Sequence, residues 1–275
     1  MGPVELAVAD LQRSISYYEQ ALGLQVQRRE SSDASLGAGG QELLRLVERP
    51  GAKPARGFSG LYHFALLLPQ RADLARFLAH AARERVPLVG LSDHFVSEAI
   101  YLSDPDEHGI EIYWDRPREL WEGQVAQRMT TLPLDVSSLL GELQDPTTEP
   151  FKGLPALTSM GHVHLRVSEI PATIAFYRDV LGFDLTAALG GQAAFLAAGG
   201  YHHHIGANTW ESAGAGQAGQ DSATLLRASV LLPDEQAVRS AADAAAAAGY
   251  EPVAVAGGVQ IADPSGNPLL LADGA

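Results

Sequence analysis

Residues 4–23, VELAVADLQRSISYYEQALG, and residues 163–182, VHLRVSEIPATIAFYRDVLG, align without a gap, and that alignment decides the fold. Each segment reads as a short alternating strand, an acidic turn residue (Asp10, Glu169), an amphipathic helix carrying an aromatic pair (Tyr17-Tyr18, Phe176-Tyr177) and a Leu-Gly stop. Weaker copies begin at Leu61 (LYHFALLLPQRADLARFLAHAARE) and at Leu225 (LLRASVLLPDEQAVRSAADAAAAAG). Both return to a strand after an Asp-Pro turn, Asp104-Pro105 before GIEIYW and Asp263-Pro264 before PLLLAD. One unit therefore occurs four times.

Each copy reads β-α-β-β-β, which places modules at 3–48, 60–115, 160–210 and 224–273. Two two-module halves follow, 1–115 and 160–275, joined by a linker at 116–159 that holds one short helix within LPLDVSSLLGEL. A single unit is too small to bury both faces of its sheet, so the units must pair. Two side by side form a curved, half-open sheet with its helices outside, and ligands gather on the concave face. The expected class is α+β.

The composition narrows the function. The chain is 46% hydrophobic, yet it contains no apolar run long enough to cross a bilayer and no basic, then hydrophobic, N-terminal leader. The expectation is a soluble, cytoplasmic protein. With no cysteine, any metal must be held by imidazole and carboxylate. A net charge of −14 disfavours nucleic acid and anionic membrane surfaces, both of which reward clustered Lys and Arg. A small molecule is the expected partner.

Laying the modules over one another turns scattered histidines into equivalent positions. Seven residues before the turn that ends each first strand stand Pro3, His63, His162 and Arg227. Seven residues after the Asp of each Asp-Pro turn stand Glu111 and Leu270. The last strand of the third module is read as the run Tyr201-His202-His203-His204-Ile205-Gly206-Ala207-Asn208. If modules two and three share one cavity, His63, His162 and Glu111 meet at a point. Two neutral imidazoles and a carboxylate with open positions suit a non-haem Fe(II) that binds substrate and dioxygen together, and Mn(II) satisfies the same ligands. Glu111 carries weight, because a carboxylate inside the apolar strand GIEIYW needs a partner to offset desolvation; the alternative is an exposed strand face. Strand alternation sends His202 and His204 to one face and His203 to the other, so at least one of them faces the cavity. Register favours His204 over His203 as a proton acceptor beside the metal.

The segments GHVHLRVSEIPATIAFYRDVLGF, GGYHHHIGANTW and SDHFVSEAIYLSDPDEHGIEIYWDRP resemble the vicinal oxygen chelate superfamily over nearly the whole chain, and within it the extradiol ring-cleaving dioxygenases of the catechol 2,3-dioxygenase type. The first segment is common to the superfamily, and the other two are closer to the dioxygenases. The resemblance implies His162, His63 and Glu111 as metal ligands, a histidine of the His-His pair, best matched by His204, as acid/base, and Tyr101 as the group that hydrogen-bonds the bound catecholate. His94 falls near a polar position around the substrate and oxygen site. In the better-known two-domain enzymes the ligands lie in modules three and four, whereas here they lie in two and three. The site then forms either within one chain or across a subunit contact, and a homo-oligomer is compatible with both.

The leading expectation is thus an Fe(II)-dependent dioxygenase acting on a catechol-like aromatic diol with dioxygen. Two rivals stand beside it. One is a glyoxalase-like divalent-metal isomerase or lyase, whose sites usually carry a second glutamate at the last-strand position where this chain has histidine. The other is a non-catalytic module that holds an aromatic ligand and binds no iron.

Overall fold

The computed structural model describes residues 1–148 and 150–274. The first module contributes β1 (Val4–Val8), α1 (Leu11–Tyr17), β2 (Gln25–Arg29), β3 (Asp33–Ala38) and β4 (Gln41–Glu48). A short strand, β5 (Lys53–Pro54), leads to the second module: β6 (Gly60–Leu67), α2 (Arg71–Glu84), β7 (Gly90–Asp93), β8 (Ser97–Ser103) and β9 (Gly109–Asp115). The linker folds as α3 (Val125–Arg128), β10 (Leu132–Pro133) and α4 (Val136–Leu140). The third module is β11 (Ser159–Arg166), α5 (Ile170–Ile174), β12 (Asp184–Leu189), β13 (Ala193–Ala197) and β14 (Ile205–Asn208). After β15 (Ser222–Ala223), the fourth is β16 (Leu225–Leu232), α6 (Glu235–Ala247), β17 (Val253–Val255), β18 (Gly258–Ala262) and β19 (Pro268–Asp273).

Helix starts follow the turn residues singled out in the sequence. Asp10 and Asp234 cap α1 and α6 by accepting from the backbone N–H of Arg13 and Ala237, at 2.9 and 2.8 Å. Glu169 precedes α5 without a side-chain cap, and Pro171 presets its first turn. Both α1 and α5 end in a wider π turn, at Tyr18–Leu22 and Ala175–Val180. Tyr18 and Tyr177 there donate to the buried carboxylates of Asp104 and Asp263, at 2.9 and 3.3 Å. Each Asp-Pro turn is thus bolted to the helix of the preceding module. Asp104 also accepts from the amides of Asp106 and His108, and Asp263 from those of Ser265 and Asn267.

The sheets are assembled across the linker. An eight-stranded sheet, in the order β17-β18-β19-β16-β1-β4-β3-β2, joins modules four and one. A nine-stranded sheet, β10-β7-β8-β9-β6-β11-β14-β13-β12, joins modules two and three. The chain halves 1–115 and 160–275 are therefore units of sequence, while each curled sheet takes one module from either side of residues 116–159. The main hydrophobic core draws on both sheets and includes Val163, Leu165 and Val167 of β11 together with Leu44, Leu46 and Leu269, with two smaller clusters beside it. Burial of each such side chain contributes on the order of 1.5–3 kcal/mol. No helix among the described residues is long and apolar enough to cross a membrane.

The linker is more than a tether. Asp135 caps α4 at the helix expected in LPLDVSSLLGEL. In addition, β10 pairs with β7 at the rim of the nine-stranded sheet, Leu132 opposite Asp93 and Pro133 opposite Ser92.

Candidate metal centre and cavity

Two bulges at the seam between modules two and three aim the histidines. Along β11 the pairing slips between Met160 and His162, so Gly161 is an extra residue, and along β6 it slips at Tyr62. The second bulge turns both Tyr62 and His63 toward the concave side. From His162 onward β11 alternates regularly. Val163, Leu165 and Val167 enter the core, which leaves His162, His164 and Arg166 on the opposite face. In β9, Ile110 and Ile112 enter the same core, so Glu111, Tyr113 and Asp115 share the cavity face.

These strands bring together three residues found from module register. His63 Nε2 and His162 Nε2 lie 3.0 and 3.1 Å from the same oxygen, Glu111 Oε2, and His63, Glu111 and His162 are all buried. Ligands about 2.1 Å from a metal and at right angles to one another sit about 3 Å apart. Both His–Glu distances therefore have the spacing of adjacent ligands, and all three donor atoms lie within 4.8 Å of one another. His63 Nε2 makes no hydrogen bond despite its proximity to the carboxylate, and it is a buried nitrogen without a partner. The residues present fit a divalent ion with open positions.

The electrostatics suit ligation. Burial alone would raise the Glu111 carboxyl, but His162 and His63 against it hold it well below the usual carboxylate range. Burial lowers His162 from its ordinary value, and it pushes His164 and His203 well down. These imidazoles are neutral at pH 7, as ligands and proton acceptors must be.

The corresponding positions of the other sheet explain why no second such cluster is found among the described residues. There Glu5 pairs opposite Arg227, as His164 pairs opposite His63 in the nine-stranded sheet. Arg227 Nη2 donates to Glu5 Oε2 at 2.6 Å. An ion pair fills one site where the other has imidazoles, and Leu270 stands where the other has Glu111.

The remaining candidates divide. Tyr101 lies directly across the β8–β9 hairpin from Glu111, its ring 5.5 Å from that of His63. His94 Nδ1 is 2.7 Å from the carbonyl of Thr130, so that nitrogen carries the proton and Nε2 accepts from the Tyr101 hydroxyl at 2.8 Å. Tyr101 and His94 both line the cavity. His203 lines it too, its ring tilted against that of His162 with centroids 4.1 Å apart. His204 does not. Its Nδ1 accepts from the Ala198 amide at 3.2 Å, its ring lies against Tyr201, and it is not among the residues that line the cavity. The cavity thus receives His203 rather than the register-favoured His204. Strand β14 begins only at Ile205, residues 202–204 lie in a loop after the left-handed Gly199 and Gly200 (φ 63° and 69°), and strand alternation does not govern them.

Behind His203 runs a set of partners that the sequence reading missed. His202 Nε2 donates to Asp115 Oδ1 at 2.8 Å, which leaves His202 Nδ1 to accept from His203 Nδ1 at 2.8 Å. The basic nitrogen of His203 is then Nε2. Asp115 Oδ2 accepts from the Tyr201 hydroxyl at 2.7 Å, and Tyr201 accepts from Tyr113 at 2.8 Å. The period-2 row Glu111, Tyr113, Asp115 was the available signal. The cavity itself measures about 810 Å3 and is bounded partly by Met129, Thr130 and Thr131 of the linker.

Curled, paired βαβββ modules around a His/His/Glu cluster define the class of fold, and comparison with known proteins agrees with that fold. The model of the Glyoxalase/Bleomycin resistance protein/Dioxygenase superfamily matches residues 1–112 and 159–271, and the chain belongs to that superfamily. It is 40% identical over 272 residues to a catechol-2,3-dioxygenase from Bacillus subtilis (strain 168), covering 96% of this chain and 93% of that protein. Among solved structures, glyoxalase I from Zea mays superimposes with a TM-score of 0.60 at 17% identity, over 99% of this chain and 92% of that one. The cppA protein from Streptococcus pneumoniae TIGR4 gives 0.56 at 13% identity, over 98% and 96%. At these identities the two structures speak to the fold alone.

Proposed function

We propose that this chain is an extradiol ring-cleaving dioxygenase acting on a catechol-like aromatic diol, with Fe(II) held by His63, His162 and Glu111. The observation that carries the reading is the convergence of both imidazole Nε2 atoms on one buried carboxylate oxygen, beside a cavity of about 810 Å3 that His63 and Glu111 line. The 40% identical relative named as a catechol-2,3-dioxygenase supports the choice of chemistry. When bound, Fe(II) would supply the open positions and the electron path that unite an aromatic diol with dioxygen.

The chain's own groups do the rest. His203 Nε2 accepts a proton from a diol hydroxyl and returns it after ring opening. Asp115, through His202, holds His203 in the tautomer that leaves Nε2 basic. Tyr101 donates to His94, so its oxygen lone pairs are free to accept from the substrate hydroxyl and orient it. Burial of the imidazoles keeps them uncharged, and the aromatic walls exclude water around the reacting ring.

The test is the iron content of anaerobically purified protein, followed by catechol in air and a visible scan. Iron near one per chain with a new absorption band from the ring-opened product is the expected result. Bound metal without ring opening across a set of catechols would overturn the dioxygenase reading in favour of an isomerase. No metal after Fe(II) reconstitution would overturn the ligand assignment.

A further inference from the structure

The cavity extends well beyond His63 and Glu111, and part of its wall is one face of β11. His162, His164 and Arg166 follow one another along β11, and at about 3.3 Å per residue the first and last lie about 13 Å apart. His164 and Arg166 both line the cavity. Each leaves a buried nitrogen without a partner, His164 Nε2 and Arg166 Nε. Aromatic rings flank this stretch. Tyr62 and Trp210 stand with ring centroids 5.4 Å apart, and each packs against His164, at 5.3 and 5.8 Å. The two rings meet edge-on and form one aromatic wall beside His164, along which an extended group can lie.

Arg166 is an unusual residue to find there. Its side chain is only 13% exposed; Glu211 Oε2 lies 3.5 Å from Nη1 on a side chain that is 57% exposed, and the charge of Glu107, itself engaged by Arg56, acts on it from further off. The Glu211 contact engages one of five guanidinium N–H donors, at the long limit of a hydrogen bond. Burial lowers the pKa of Arg166 from its ordinary value, yet the group stays charged at neutral pH. Arg56 at the same mouth differs, because Glu107 engages its guanidinium through both oxygens. A buried, charged, under-partnered fork facing a cavity has the chemistry of a carboxylate receptor.

We propose that Arg166 recognises an anionic group at the far end of the substrate, so that the preferred substrate is a catechol whose ring substituent ends in a carboxylate on the order of 10 Å from the diol oxygens. The inference rests on the dioxygenase reading for the diol end and on Arg166 alone for the other. The substituent runs along the wall formed by His164, Tyr62 and Trp210, and its carboxylate takes the donors that Glu211 leaves free.

The experiment compares two catechols with the same extended 4-substituent, one ending in a carboxylate and one in the primary amide. Equilibrium binding to anaerobic protein and kcat/KM for ring opening are both measured, for the wild type and Arg166→Met. The wild type should prefer the carboxylate by about 10- to 100-fold in both readouts, and Arg166→Met should bring the ratio close to one. Equal binding of acid and amide by the wild type overturns the proposal without needing any variant. Survival of the preference in a folded Arg166→Met protein overturns it as well. Should iron-loaded protein open no catechol at all, the dioxygenase reading fails, and the binding ratio still decides the role of Arg166.

Discussion

The hydroxyl of Tyr113 occupies the space that a side chain at residue 161 would need. A Cβ built on Gly161 would lie 1.8 Å from Tyr113 Oη. Gly161 is also the extra residue of the bulge that turns His162 to the centre. Gly161→Ala should therefore push Tyr113 off Tyr201 or His162 off Glu111, with an overpacking cost of about 1–3 kcal/mol. Thermal unfolding and iron content of the variant check this, and Gly161→Ala with Tyr113→Phe should recover part of the loss. A variant as stable and as iron-replete as the wild type would show that the strand moves aside freely.

The three ligands should separate from the proton acceptor by metal content. Glu111→Ala leaves His63 and His162 facing each other without the carboxylate that both approach at about 3 Å. Iron and activity should fall together in Glu111→Ala, His63→Ala and His162→Ala. His203→Gln should retain iron and lose about 10²- to 10⁴-fold in kcat. Full activity in Glu111→Ala would sink the triad.

Much of this centre was legible because its information is local. His63 and His162 stand a constant seven residues before the residue that precedes a helix, and Glu111 seven after the Asp of an Asp-Pro turn, so the repeated strand-turn-helix geometry carries them to equivalent places. The choice between His203 and His204 was not local in this way. It depends on β14 starting at Ile205, and nothing in the run of three histidines marks that boundary. The pairing of module one with four, and of two with three, is a long-range choice among four similar units. The docking of Thr130 beneath His94 is likewise invisible in a linker whose composition announces no contact.

Acid should destabilise the protein through its buried histidines. Burial foremost lowers His204 to about 4, whereas an unfolded histidine titrates near 6.5. Between those values the unfolded chain binds a proton that the native one does not, so stability rises with pH and falls as pH drops through this window. His162, His164 and His203 are lowered too and act in the same direction. The melting temperature should be nearly level above pH 7.5 and decline below about 6.5. His204→Gln should lessen the pH dependence by up to one proton, while an unchanged slope would show that His204 titrates normally.

The path from Asp115 to His203 makes the sharpest prediction about rate. Asp115 fixes His202 Nε2 as a donor, and the 2.8 Å contact between the two Nδ1 atoms then fixes His203 Nδ1 as a donor as well. Neither Asp115 nor His202 belongs to the ligand triad. Asp115→Asn replaces an obligate acceptor by an amide that can present either an oxygen or an NH2 group. If the NH2 faces His202, its ring flips to the other tautomer, Nδ1 becomes a donor, and His203 is driven to accept there and lose its basic Nε2. The expected outcome is a fall in kcat of about 10- to 100-fold with KM and iron content held, and a change in the pH profile of kcat. His202→Gln, which can still accept from His203 through its side-chain oxygen, should lose less. A merely structural role for Asp115 would instead lower the melting temperature and iron content in step with activity and leave the profile where it was.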